Sequence, residues 1–317
     1  MVALGLVGDI GATNARFALA ERSGTLTPPR VLPTEDYATL ADAIAAYLTD
    51  EKPSTPPDRA VLAVASPIGG DQIAMTNHPW TISNEALRQQ LGLQRLQIIN
   101  DFVACALAIP HLGIEQKRKI GAGDCVSAHP IGVLGPGTGF GVSALVPAGS
   151  ELLALESEGG HVTMAAENAR EAAVLGIMRR RYDHVSAERV LSGPGLVNLY
   201  NALCELAGAP AASFTSAQIT DPRIGEDDVQ AGEATAMFCA MLGSVAGNLA
   251  LTLGARGGIY VAGGIVPRLG DYFERSEFRA RFEAKGRFAS YLARIPTYVV
   301  VHPFPALFGA ASLLDQR

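Results

Sequence analysis

Tryptophan occurs once in this 317-residue chain, cysteine four times, and no stretch is rich in lysine and arginine. Each scarcity excludes something. Cys105, Cys125, Cys204 and Cys239 are too widely spaced for a CxxC metal or redox motif, so they read as reduced, buried thiols, and no zinc site is visible. Acidic residues outnumber basic ones, 31 to 25, for a net charge of −6, which argues against nucleic acid as the main partner. The basic run Arg179 to Arg181 reads as a solvated helix end. An apolar strand starts by about residue 3, which leaves no room for a signal peptide and makes the cytoplasm the expected location.

Long apolar runs are just as scarce. Ala234 to Ala255 spans 22 residues without a charge, the length of a bilayer crossing, with Gly243 and Gly247 at GxxxG spacing. Thr235, Ser244, Asn248 and Thr252 interrupt it, and it has no partner span. It is expected to be a helix buried in a protein core, with no membrane involved. A hydrophobic content of 48% over this length suffices for two domains with separate cores.

What the chain does contain is a repeated device. Ala3 to Leu19 reads ALGLVGDIGATNARFAL and Pro130 to Val146 reads PIGVLGPGTGFGVSALV. In both, an apolar strand runs into a turn of Gly, Thr, Asn or Pro and a second apolar strand follows at once, where a P-loop or dinucleotide site would open a helix. Glycines permit positive φ and inward-facing N–H groups, and threonine adds a hydroxyl, so each tip suits a phosphate oxygen. Two copies more than a hundred residues apart suggest two related halves closing on one polyanion, as in actin, Hsp70 and sugar kinases.

Helical periodicity marks Tyr37 to Leu48, Arg59 to Ala65 reads as a buried strand, Ser83 opens a helix, and Leu96 to Ile99 is a short strand before an apolar helix that ends at Pro110. The second hairpin then starts a new block. Helices are expected at Glu171 to Arg181, after Pro194 and through the long apolar run, with strands at Gly258 to Ala262 and Thr297 to His302 and an Ala-rich helix from Ala306. Strands alternating with helices indicate α/β layers.

Four places could carry chemistry. Asp9 faces the tip made by Gly11, Ala12, Thr13 and Asn14, and a carboxylate among phosphate-binding amides is favourable only with a cation between them, which suggests Mg²⁺ held through water. Asn100 and Asp101 end a strand and begin a helix, where they are either helix caps or, at the carboxyl edge of a sheet, a polar group and a general base. Glu158, His161 and Glu188 offer carboxylates and an imidazole suited to a polyol. Gly263 and Gly264 follow a strand and precede Pro267, either as a tight turn or as a flat surface for an adenine.

The strings VGDIGATNAR, MTNHPW, IINDF, GPGTGFG, EGGHV, SAERVLSGPGLVNLY and VAGGIVPR run along essentially the whole chain. In them the sequence closely resembles the bacterial ATP-dependent glucokinases of the zinc-free type, within the actin-like sugar-kinase superfamily. The resemblance implies a two-domain α/β fold of the actin-like ATPase (ribonuclease H-like) kind with a ligand cleft between domains, residues 1–110 plus 302–317 forming the small domain and 111–301 the large one. It implies that Asp101 accepts the proton of the sugar's primary hydroxyl while Asn100, Glu158, His161 and Glu188 hold the other hydroxyls. Asp9, Gly11, Ala12, Thr13 and Asn14 match the first phosphate loop, Gly137, Thr138 and Gly139 the second, and Gly263 with Gly264 the adenosine contact. The implied substrates are ATP with Mg²⁺ and glucose, at the start of glycolysis, in a homodimer; a kinase for mannose or an N-acetylhexosamine and an actin-like or Hsp70-like ATPase are the alternatives.

Two departures stand out. The first loop of this family commonly has two adjacent glycines, and here Ala12 follows Gly11, so a positive φ at position 12 is expected to cost more. The zinc-binding sugar kinases and sugar-responsive repressors carry a Cys-rich motif soon after the equivalent histidine, and His161 to Leu203 contains no cysteine.

Overall fold

The computed structural model describes residues 3–21, 25–149 and 151–314. These fall into two compact units, one made of the chain up to Gly113, Ala154–Glu156 and the segment from His302 onward, the other of Ile114–Leu153 and Ser157–Val301.

The first unit holds β1 (Ala3–Ile10), β2 (Asn14–Glu21), β3 (Arg30–Pro33), β4 (Arg59–Val64), β5 (Gln72–Ala74), β6 (Thr81–Ser83) and β7 (Arg95–Asn100). Five of them form a sheet in the order β3-β2-β1-β4-β7, and β5 pairs with β6 alone. The first hairpin is antiparallel, with Asp9 opposite Arg16 and Ile10 opposite Ala15. β1, β4 and β7 run parallel, and Ile10, Val64 and Asn100 stand in register across them. Buried strands of this kind need apolar residues on both faces, which is why β4 reads RAVLAV and is covered along almost its whole length. Helices are set by their caps. Thr39 and Asp42 form a capping box ahead of Leu40–Glu51, and Ser83 accepts from the Ala86 N–H ahead of Asn84–Gln90. The last helix, Pro305–Ala311, packs on Asp101–Ala108 through Gly309, where an added Cβ meets the Ala104 carbonyl at 1.8 Å.

The second unit holds β8 (Lys117–Ile120), β9 (Ile131–Pro136), β10 (Phe140–Ala148), all but the last two residues of β11 (Glu151–Leu155), β12 (Ile259–Val261) and β13 (Thr297–Val300), in the sheet order β11-β10-β9-β12-β13-β8. β10-β9-β12-β13 repeats β2-β1-β4-β7 strand for strand: an antiparallel hairpin, then two parallel neighbours. The repeat in the sequence is thus a repeat in topology.

The helix Val229–Leu253 is long and apolar enough to cross a bilayer by length and composition, yet it is buried without a break from Met237 to Ser244. Its glycines serve a helix crossing. A Cβ at Gly243 meets the Phe278 carbonyl at 2.2 Å and one at Gly247 the Phe282 carbonyl at 2.6 Å, so only glycine lets Phe278–Glu283 lie against it.

Element boundaries shifted by a few residues where tertiary partners decide them: the strand expected over 258–262 is Ile259–Val261, and that over 297–302 stops at Val300. The charged stretch from Asp271 to Arg294 folds as the short helices Asp271–Arg275, Phe278–Glu283 and Ala289–Ala293. One cysteine reading is corrected. Cys105, Cys204 and Cys239 are buried, but Cys125 is exposed, because the segment before β9 runs over the surface.

Candidate active site

In the first unit the carboxyl ends of β1, β4 and β7 form one edge, and the residues singled out at Asp9, Asn100 and Asp101 lie along it. Asp9 sits in the hairpin opposite Arg16, whose Nη1 lies 3.2 Å from Oδ2, and its side chain is 19% exposed. Burial pushes its carboxyl above the usual range, and the Arg16 charge and hydrogen bond act against that shift. Arg16 is a charged partner that no sequence motif singled out, although its place seven residues on, directly across the hairpin, signals it.

Asn100 does what its residue type favours at a helix start. Its Oδ1 accepts from Phe102 N–H at 2.8 Å and Val103 N–H at 3.2 Å, and its Nδ2 donates to the Ser66 carbonyl at 3.3 Å. Its oxygen is committed to capping, and one Nδ2 hydrogen remains for a ligand. Asp101, the first residue of the helix, accepts from Phe102 N–H at 2.9 Å through Oδ1, which fixes the carboxylate plane. The Cys105 thiol, one turn along, is pushed well above its usual range by burial, then by the charges of Asp101 and Asp9.

The first tip is built differently from the expectation. Gly11 N–H donates to the Asn14 carbonyl at 3.0 Å, and neither Gly11 nor Ala12 has positive φ. The strain expected at Ala12 is therefore absent, because the turn closes without a left-handed residue.

In the second unit, Gly137 N–H donates to the Gly139 carbonyl at 2.8 Å, again without positive φ at either glycine. Gly139 leaves room for a carboxylate: an added Cβ meets Glu188 Oε2 at 2.6 Å. That same oxygen accepts from Phe140 N–H at 2.9 Å, and Glu188 N–H donates to the Gly160 carbonyl at 2.9 Å. Gly160 lies in the turn Gly159–His161, where His161 Nε2 is 3.7 Å from Glu158 Oε2 and both side chains are half exposed. Glu158, His161 and Glu188 are thus brought together beside the second tip. Gly263, at φ 84°, packs against it too, since a Cβ there meets the Pro136 carbonyl at 2.4 Å. Gly264 has no such constraint; Arg268 Nε donates to its carbonyl at 2.6 Å.

Two sheets with the same hairpin-headed topology, each presenting a hairpin tip beside the carboxyl ends of parallel strands, are the architecture of the actin-like ATPase fold. The glucokinase family model matches residues 6–317. The glucokinase of Aromatoleum aromaticum is 51% identical over 314 residues, covering 98% of this chain and 94% of that protein. That of Paramagnetospirillum magneticum is 51% identical over 312 residues, covering 98% and 97%. The crystal structure of a glucokinase from an Antarctic psychrotroph superposes with a TM-score of 0.86 at 37% identity, covering 98% of each chain. The chain belongs to the glucokinase family.

Proposed function

We infer that this chain transfers the γ-phosphoryl group of ATP to the 6-hydroxyl of glucose, giving glucose 6-phosphate and ADP. The observation that carries the reading is the carboxyl edge of the first sheet, where a phosphate-type tip, Asp9 and an oriented Asp101 stand together, in a chain of this family. Asp101 accepts the proton of the primary hydroxyl as that oxygen attacks the γ-phosphorus in line. Asn100 offers its remaining Nδ2 hydrogen to the sugar, and Glu158, His161 and Glu188 hold the other hydroxyls. N–H groups and threonine hydroxyls of the two tips stabilise charge on the phosphates, and Gly263 with Gly264 take the adenosine.

Asp9 suits Mg²⁺ bound through water: one of its oxygens engages Arg16, and among the described residues no group of three or more His, Cys, Asp or Glu gathers to hold a metal directly. Held by Asp9 through water, the ion would supply charge neutralisation at the phosphate oxygens. The reading includes a cytoplasmic homodimer, with neither nucleic acid nor membrane as partner.

A coupled ADP-release assay with ATP and Mg²⁺ over glucose, mannose and N-acetylglucosamine tests the reading. Glucose is expected to give the fastest release, with much slower hydrolysis when sugar is absent. If no sugar stimulates ADP release, the kinase reading fails; if another sugar outruns glucose, the substrate assignment fails.

Asp9 adds a pH dependence. Because its carboxyl is raised, the loss of kcat/KM for ATP on acidification begins above the usual carboxylate range. Arg16 lowers it, so Arg16→Gln leaves burial unopposed, raises it further, and moves the acid limb to higher pH. Paired pH profiles of parent and variant check this, and coincident acid limbs refute it.

A further inference from the structure

Thr34 lies outside every motif that pointed to phosphate or sugar, yet it is 1% exposed and spends two donors on the first tip. Its Oγ1 donates to the Ala12 carbonyl at 2.6 Å and its N–H to the Thr13 carbonyl at 3.1 Å. In a trans peptide the C=O and the following N–H point in opposite directions. Drawing the Ala12 and Thr13 carbonyls toward Thr34 therefore turns the N–H groups of Thr13 and Asn14 away from it.

A glycine-built nest sets its N–H directions with left-handed residues. This tip contains none, and Ala12 is the reason it gains little from one. Direction has to be imposed from outside, and Thr34, at the end of β3, imposes it. The second tip is held in a related way, with Gly193 N–H donating to the Gly137 carbonyl at 2.8 Å.

We propose that Thr34 is a positioning residue for ATP: it holds two carbonyl oxygens of the first tip off the polyphosphate and aims the neighbouring N–H groups at it. The proposal rests on the reading of this tip as a phosphate loop. Thr34 contacts no substrate and acts only through Ala12 and Thr13. Losing its hydroxyl leaves the Ala12 carbonyl free to turn toward the phosphates, so the defect falls on nucleotide binding and spares the sugar.

The test compares Thr34→Val, which keeps the shape and removes the hydroxyl, with Thr34→Ser, which keeps the hydroxyl, and with Thr13→Ala in the tip itself. KM values for ATP and glucose are measured together with the Kd of AMP-PNP with Mg²⁺ by calorimetry, none of which depends on the fraction of folded protein. Thr34→Val is expected to raise the ATP KM and the AMP-PNP Kd about tenfold, the scale of one buried hydrogen bond lost, with glucose KM within about twofold and Thr34→Ser close to the parent. A Thr34→Val variant that only melts earlier, with AMP-PNP affinity intact, overturns the proposal. If that happens while Thr13→Ala weakens AMP-PNP, the phosphate-loop reading survives and only the role of Thr34 falls. If neither variant alters AMP-PNP binding, the reading of the tip falls with it.

Discussion

Asp101→Asn is expected to lower kcat about a thousandfold while leaving both KM values within a few-fold of the parent. The substitution changes no shape. Oδ1 of Asp101 is held by Phe102 N–H at 2.9 Å, and an asparagine in the same place can accept the same hydrogen bond through its oxygen. Asn100 continues to cap the helix through Phe102 and Val103, so the backbone that carries residue 101 stays put. What disappears is the capacity to take up a proton. The sugar oxygen must then attack as a poor nucleophile, which affects the transition state and leaves ground-state binding alone. Steady-state kinetics with the coupled ADP assay decide the matter, and a variant within tenfold of the parent kcat excludes Asp101 as the base.

That prediction uses a residue that the sequence left divided between cap and base. The structure divides the two tasks between neighbours: Asn100 gives its oxygen to the helix, and Asp101 is oriented by the same turn. Strand-end polar residues were legible because α/β sheets gather ligands at the carboxyl ends of parallel strands. The two hairpins were legible for a similar reason, since an apolar run, a turn and a second apolar run leave few other folds open.

Residues that act through tertiary contact were not legible. Thr34 reaches Ala12 across 22 positions, and nothing local at Pro33–Asp36 advertises that reach. Glu188 showed its carboxylate as a sugar ligand, and its grip on Phe140 N–H emerged only in three dimensions. The glycines of both tips were legible as glycines, but their use was misjudged. Positive φ was the expected property, whereas what Gly139 provides is room for the Glu188 carboxylate. Short strands such as β5, β6 and β11 escaped as well, because three to five residues carry too little periodicity to stand out.

Gly160→Ala is expected to cut kcat/KM for glucose about a hundredfold, with a smaller effect on the KM for ATP. A Cβ at Gly160 falls 1.8 Å from the Phe140 carbonyl, a backbone atom at the head of β10 that cannot rotate aside. The φ of Gly160 is not positive, so the conflict is one of space alone. Either the turn Gly159–His161 or the start of β10 must move by more than an ångström to reach the 3.0 Å that real Cβ atoms respect. Both routes damage the same set. The turn carries His161 and adjoins Glu158, its Gly160 carbonyl receives Glu188 N–H at 2.9 Å, and Phe140 N–H holds the Glu188 carboxylate. Overpacking of this kind also costs stability, about 1–3 kcal/mol, so the melting temperature drops alongside. Gly137→Ala is the steric contrast, because a Cβ there meets nothing within 4 Å and should leave melting unchanged. If Gly160→Ala melts early yet keeps the parent kcat/KM for glucose, then Glu158, His161 and Glu188 do not hold the sugar.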